Sequence, residues 1–231
     1  MVHAYKIKAL LQKDAKDLTK NSSAVLLACI GVLFTALYSV MDFGGEGFPP
    51  EMLLAFGAGM NVSMFPVAAM SMLIAEEKEK HTLRTLMLSN VSAQEFLLSK
   101  AVLLLAISQV VNIICFFIAG AQSSFLLYFG VTALTTVCVL LFGALVGLLS
   151  KNQMSTGVAS TPFALILLMP AIFGRIDEGI AKFAQFTPVY AMLELFQPTG
   201  RALFFVAVLL VWIVFAAVSF SIVYRKKRLD I

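Results

Sequence analysis

Six stretches of this chain carry no Asp, Glu, Lys or Arg, and each is about as long as a bilayer-spanning helix, which needs about 20 apolar residues. They run Ser22–Met41, Met52–Ala75, Ala101–Ala121, Phe125–Leu149, Ser155–Phe173 and Ala202–Tyr224. Nothing constrains the fold more. A segment crossing lipid must satisfy its own backbone, so it is a helix or part of a closed barrel. Barrel strands would show alternating segments of about ten residues, and none are present. The composition agrees: 60% of residues are hydrophobic and 13% charged, where soluble domains run nearer half and a quarter. The expectation is an all-α integral membrane protein with six transmembrane helices, forming one domain over residues 1–231.

Basic residues orient it. With an even number of spans both termini share one side, and that side collects Lys6 to Lys20, Lys78, Lys80, Arg84, Lys100, Lys151 and Arg225 to Arg228. Only Arg175, Lys182 and Arg201 fall opposite, and the outer loop from Asp42 to Glu51 is purely acidic. Positive charge stays inside, so both termini are expected in the cytoplasm of a multi-pass protein of a bacterial cytoplasmic membrane.

The longest charged run between spans covers Ala75 to Lys100. Glu76 and Lys80 stand four apart in the favourable order, so the second span is expected to continue as a helix into water. A break follows at Ser89-Asn90. Ser92-Ala93-Gln94-Glu95 then forms a capping box, with Val91 and Phe96 as its hydrophobic staple. This helix–break–helix presents Leu83, Leu86, Met87 and Val91 outside the membrane.

Residues 1–20 have no signal-peptide core, because lysines interrupt every apolar run. Ile7, Leu10, Leu11 and Leu18 share one helical face, with Lys13, Lys16 and Lys20 opposite, the pattern of an amphipathic helix lying on the inner surface. Asp14 intrudes on the apolar face. Residues 174–200 carry Phe183, Phe186, Tyr190 and Phe196 but are broken by Pro188 and Pro198. They are too greasy for a free loop and too interrupted for a span, which predicts a pair of short re-entrant or interfacial helices on the outer side.

Polar residues at depth are few. Asn61 lies near Pro66 in the second span, and Gln109 and Asn112 share a face of the third. Glu194 sits in the greasy outer segment. These four are candidates for lining a substrate path, although helix–helix hydrogen bonding accounts equally well for the amides, and a rim carboxylate for Glu194. Gly143-x-x-x-Gly147 reads as close packing, and Cys29, Cys115 and Cys138 as small apolar packers.

Catalytic signatures are missing from the sequence. It has no G-x-x-x-x-G-K-[ST], no H-E-x-x-H, no G-x-S-x-G and two histidines far apart. The chain is therefore expected to be no enzyme, to hold no metal and no cofactor of its own, and to have no nucleic-acid partner.

Glu77-Lys78-Glu79-Lys80-His81-Thr82-Leu83, then Leu86, Met87, a polar break and Ser92 to Lys100 resemble the permease subunits of ABC-2 type transporters, which have the type V exporter fold. Family members usually show E-x-E-x-G-T-L and a proline at the break; here His81 and Asn90 occupy those places. The resemblance implies an N-terminal elbow helix over 1–20, a cytoplasmic coupling helix within 76–100, and re-entrant helices over 174–200. It also implies coupling roles for Glu77, Glu79, Thr82, Leu83, Leu86 and Met87. A separate cytosolic ABC ATPase would carry ATP and Mg, and a second permease subunit, identical or paralogous, would complete the path among membrane lipids. Phe-rich walls without a ring of charge favour a hydrophobic or amphipathic cargo, such as a drug or an antimicrobial peptide, moved outward. The rival reading is a non-transporting immunity or signalling component that recruits a cytosolic partner through the same knuckle. An intramembrane enzyme would need charged pairs or a histidine in the spans, and a secondary transporter would show internal repeats; neither is found.

Overall fold

The computed structural model describes residues 4–43, 46–47, 49–80, 93–197 and 200–229. Helix α1 covers Ala4–Lys20, α2 Ser22–Val40, α3 Pro50–Glu79, α4 Ala93–Ala119, α5 Phe125–Leu149 and α6 Gln153–Phe173. Two short helices follow, α7 (Glu178–Ala184) and α8 (Pro188–Glu194), before α9 (Ala202–Leu229). A two-residue ribbon, β1 (Asp42–Phe43) against β2 (Glu46–Gly47), is antiparallel and pairs Asp42 with Gly47.

Six helices, α2 to α6 and α9, are long and apolar enough to cross a membrane. They are not equivalent. In the apolar window of α3, 72% of residues are buried, and in α5 67%, whereas α2 buries 17% and α9 28%. The bundle is thus a central pair, α3 and α5, wrapped by helices that turn most of their surface outward.

Small residues explain why these two are central. A Cβ on Gly147 would stand 2.8 Å from the Ser71 carbonyl oxygen, and one on Gly143 would stand 2.9 Å from the Val67 Cα. Only glycine permits that approach, and in lipid close backbone packing is a main source of helix association. The Gly143-x-x-x-Gly147 motif is the seam. At the other face of α3, Gly31 of α2 meets Gly57, where a Cβ would lie 3.0 Å from the Gly57 carbonyl oxygen.

The segment between α6 and α9 is buried only in its second half, while Ile176, Phe183 and Phe186 are exposed. Residues Pro188 to Leu193 of α8 are buried against α3, α5, α6 and α9, while α7 stays mostly exposed. Trp212 of α9 donates its indole N–H to the Phe186 carbonyl at 2.6 Å, tying the middle of the segment to α9, and Arg175 Nη2 donates to the Leu193 carbonyl at 3.1 Å, tying its start to α8.

Helix α1 packs on α4, with smaller contacts to α2 and α3. Its buried positions are Leu10, Asp14 and Leu18, successive turns of one face. Asp14, a blemish in the apolar stripe, is the middle of the buried face.

Candidate functional site

The exit of α3 from the bundle organises one end of the molecule. Glu76 and Lys80 form the expected i,i+4 ion pair, which carries the helix past its apolar part to Glu79. Partnership with the Glu76 carboxylate holds the Lys80 ammonium above its ordinary range. The three residues between them reach four other helices.

Glu77 is 3% exposed. Its Oε1 accepts from Lys13 Nζ of α1 and, at 3.4 Å, from Lys100 Nζ of α4. Lys100 also donates to Asp14 Oδ1 at 2.7 Å, and both of these side chains are 1% exposed. Its ammonium lies 4.8 Å from the centre of the Phe96 ring. A lysine so buried is tolerated only because two carboxylates and an aromatic face surround it. Asp14 is less well served: Oδ2 has no hydrogen-bond partner among the described residues. Burial pushes its carboxyl above the usual range, more than the opposing pull of Lys100 and Lys13 lowers it.

Lys78 and Glu79 point the other way. Lys78 Nζ donates to the Leu148 carbonyl at 2.9 Å and to the Ser150 carbonyl, at the C-terminus of α5. Glu79 Oε2 accepts from the Gln153 backbone N–H at 2.9 Å, at the N-terminus of α6. The last carbonyls and first N–H groups of a helix lack internal partners and carry partial negative and positive charge. A cation at one terminus and an anion at the other meet both needs. Residues 76–80 thus join α1, α4, α5 and α6 at the root of the connection leading from α3 to α4.

Of the expected coupling residues, Glu77 and Glu79 belong to this cluster, while Thr82, Leu83, Leu86 and Met87 lie outside the described residues. Sequence reasoning passed over Lys13, Asp14, Lys78 and Lys100. The one signal available for Asp14 was its position on the apolar face, since a charge there requires an opposite charge on the neighbouring helix.

The candidate path residues divide into two places. Asn61 Nδ2 donates to Asn112 Oδ1 at 2.8 Å, to the Ser108 carbonyl at 3.0 Å and to Ser108 Oγ at 3.1 Å. Thr132 Oγ1 donates to Gln109 Oε1 at 3.1 Å, and Tyr128 donates its hydroxyl to the Asn112 carbonyl at 3.0 Å. Asn61, Gln109 and Asn112 are all buried, so this polar belt fastens α3, α4 and α5 together. Glu194 lies apart, at the opposite end of the bundle. Its Oε1 is 3.7 Å from Arg175 Nη2, in an open recess of about 870 Å³ shared with Glu51, Gln122, Tyr190 and Gln197.

A second cleft, about 200 Å³, opens between α2, α3 and α6. Met64, Met72 and Met154 line it together with Ser23, Thr156 and Ser160. Flexible thioethers beside hydroxyls give a surface that can fit varied apolar shapes and still offer hydrogen bonds. Thr156 and Ser160, four apart on one face of α6, were the overlooked signal.

Four apolar helices around a central pair, with a charged root at one end, describe a membrane bundle without naming its function. The sequence profile of the ABC-2 family transporter proteins matches residues 24–225. The chain belongs to that family. Membership makes it the membrane permease of an ABC system and implies association with an ABC ATPase. An ABC-2 domain is a membrane component and not an ATP-binding domain. No curated protein sequence matches the chain. The matched residues begin at α2, so Lys13 and Asp14 enter the charged cluster from outside the ABC-2 region, while Glu77, Lys78, Glu79 and Lys100 lie within it.

Proposed function

We propose that this ABC-2 permease is the membrane half of an ATP-driven exporter, and that residues 76–100 are the element through which a separate cytosolic ATPase moves it. The observation that carries this reading is the junction at Glu77, Lys78 and Glu79, whose side chains reach α1, α4, α5 and α6. A force applied to the connection between α3 and α4 reaches four further helices through charge-assisted hydrogen bonds, which are about twice as strong as neutral ones. A loop that merely obeyed charge topology would not need such bonding at its root.

In this reading Glu77 and Glu79 fix the stem, and Thr82, Leu83, Leu86 and Met87 meet the ATPase, apolar side chains anchoring and polar ones setting register. Nucleotide binding favours one ATPase arrangement, and the stiff root passes that preference to the spans as a two-state shift. Helix α1 serves as the elbow along the inner surface of a bacterial cytoplasmic membrane, with both termini inside. A second permease subunit completes the path. Cargo is hydrophobic or amphipathic: it is met at the methionine and hydroxyl cleft on the inner half and released by the outer recess that holds Glu194.

The test is recovery of the partner. The tagged chain is purified from its native membrane in mild detergent beside Leu83→Arg/Leu86→Arg. An ATPase bearing Walker motifs, recovered with wild type and lost from a double variant of unchanged thermal stability, supports coupling. A wild-type chain that brings down no ATPase, with a non-ATPase cytosolic protein in its place, overturns it in favour of a signalling or immunity role.

A further inference from the structure

The recess that holds Glu194 is charged on its lining and has an apolar chamber beside it. Its charged side chains are Glu51 in the first turn of α3, Arg175 just past α6, and Glu194 at the end of α8. These three do not cancel. Arg175 Nη2 is already engaged by the Leu193 carbonyl at 3.1 Å, and it stands 3.7 Å from Glu194 Oε1, beyond ordinary hydrogen-bond range. Glu51 has no ion pair or hydrogen bond among the described residues. The N-terminus of α3 favours a carboxylate there without removing its charge. Two carboxylates against one guanidinium leave the recess negative.

The chamber lies between α3 and α6 and has a volume of about 90 Å³. Apart from Arg175 its lining is apolar, with Ala55, Phe56, Leu168 and Ala171 among the side chains. Met52 and Arg175 line both cavities, so the two adjoin. Met52 is 41% exposed, and its thioether is flexible enough to swing aside. Size limits what can enter. An engineered apolar cavity of about 150 Å³ takes benzene. The chamber, at about 90 Å³, therefore suits a short alkyl group and is too small for a lipid tail.

We infer that recess and chamber together form one binding site for an organic ammonium ion that carries a short apolar group. The ammonium lies in the recess shared by Glu51 and Glu194, and the alkyl group enters the chamber past Met52. Each alternative loses one half of the site. A carboxylate meets two like charges, a neutral alcohol gains only the chamber, and an inorganic cation gains only the recess. Because the recess is open to solvent, each ion pair contributes modestly and is screened by salt, so selectivity for the ammonium is about tenfold and falls at high ionic strength. This deepens the release site proposed above and rests on that reading only for its place in transport. Binding is a property of the chain alone, so failure to bind an amine and failure to recover an ATPase are separate results.

Ligand-observed NMR titration of the full chain in phosphatidylcholine nanodiscs tests it, with empty nanodiscs as the blank. The probes are butylammonium, butanol, butyrate and methylammonium. Wild type is expected to bind butylammonium about tenfold more tightly than butanol or butyrate, and several-fold more tightly than methylammonium. Glu51→Gln/Glu194→Gln leaves Arg175 as the charge of the recess, so it should bring butylammonium down to the level of butanol and raise butyrate above both. Ala55→Phe, which fills the chamber, should weaken butylammonium and butanol alike; if that variant does not fold, the butylammonium–methylammonium comparison on wild type reads the chamber without any substitution. Glu178→Gln, on the exposed side of α7 and outside both cavities, should change nothing. Phosphatidylethanolamine added to the nanodisc either competes, making a headgroup amine the native occupant, or does not, making it a soluble amine; both results keep the site. Wild type that binds butanol or butyrate as tightly as butylammonium would overturn it, and so would butylammonium binding that the double glutamine variant leaves unchanged.

Discussion

Lys100 Nζ stands 2.7 Å from Asp14 Oδ1 across 86 residues of sequence, with both side chains closed off from solvent. That pair ties α1 to α4, beside the apolar cluster that Leu18 shares with Phe96 and Leu104. Such pairs are asymmetric in their energetics: breaking one strands a buried charge, while replacing both partners removes the need for either.

Lys100→Met is therefore expected to destabilise the folded chain by about 3 kcal/mol, because Asp14 and Glu77 lose the buried cation they share. Asp14→Leu/Lys100→Met should regain most of that loss. Unfolding of the four members of the double-mutant cycle in detergent reads the coupling directly.

The pH response follows from the Asp14 carboxyl. Burial raises it above the ordinary 3.8, so between that value and its folded value the native state binds more protons than the unfolded state. Stability from this group is present in full below 3.8 and is lost as pH rises through the folded value. Lys100, Lys13 and Glu77 face the carboxyl and set where that happens. Asp14→Asn should flatten this part of the stability–pH profile, leaving the contributions of other carboxyls intact.

At the seam of the central pair, Gly147→Val places carbon where Ser71 and Ile74 already stand, a Cβ 2.8 and 2.9 Å from them. Overpacking of this kind costs about 1–3 kcal/mol. Gly157→Ala meets nothing within 4 Å and should leave stability unchanged within error. Thermal unfolding of the two variants side by side checks the contrast.

Lys78→Met removes the cation from the end of α5. A stability loss of about 1.5 kcal/mol is expected from the charge-assisted bonds, together with a several-fold drop in transport per ATP hydrolysed at unchanged ATPase affinity. Lys78→Arg should keep most of both. Reconstituted vesicles with the partner ATPase allow hydrolysis and efflux to be measured on one sample.

Much of this architecture is legible in the sequence, for reasons that differ by element. Uncharged runs near 20 residues can only be spans, so the six helices follow from solvent physics. The pair Glu76 and Lys80 is local, and its extension of α3 could be read at once. Asn61, Gln109 and Asn112 were expected to face protein or a path; the structure gathers them in one buried belt. Long-range pairing was not legible. Counting Lys and Arg by loop treats Lys100 as one more inner charge, yet it is among the most buried side chains. Helix α4 is already helical at Ala93, where the Ser92–Glu95 pattern puts its start, well before the uncharged run at Ala101. The cleft at Thr156 and Ser160 was equally hidden, since it exists only where α2 and α6 stand apart over α3.

The glycine seam has a mechanical consequence. Where Gly143 and Gly147 lie against Val67, Met70 and Ser71, no side chain from α5 separates the two helices. Neither can turn about its own axis without collision, and α5 has no rotamer at these two positions to swap. Helices α3 and α5 act as a single axle. Whatever swings when the molecule works must be hung on it: the staves α2 and α6, whose contacts are looser, and the outer helices beyond them.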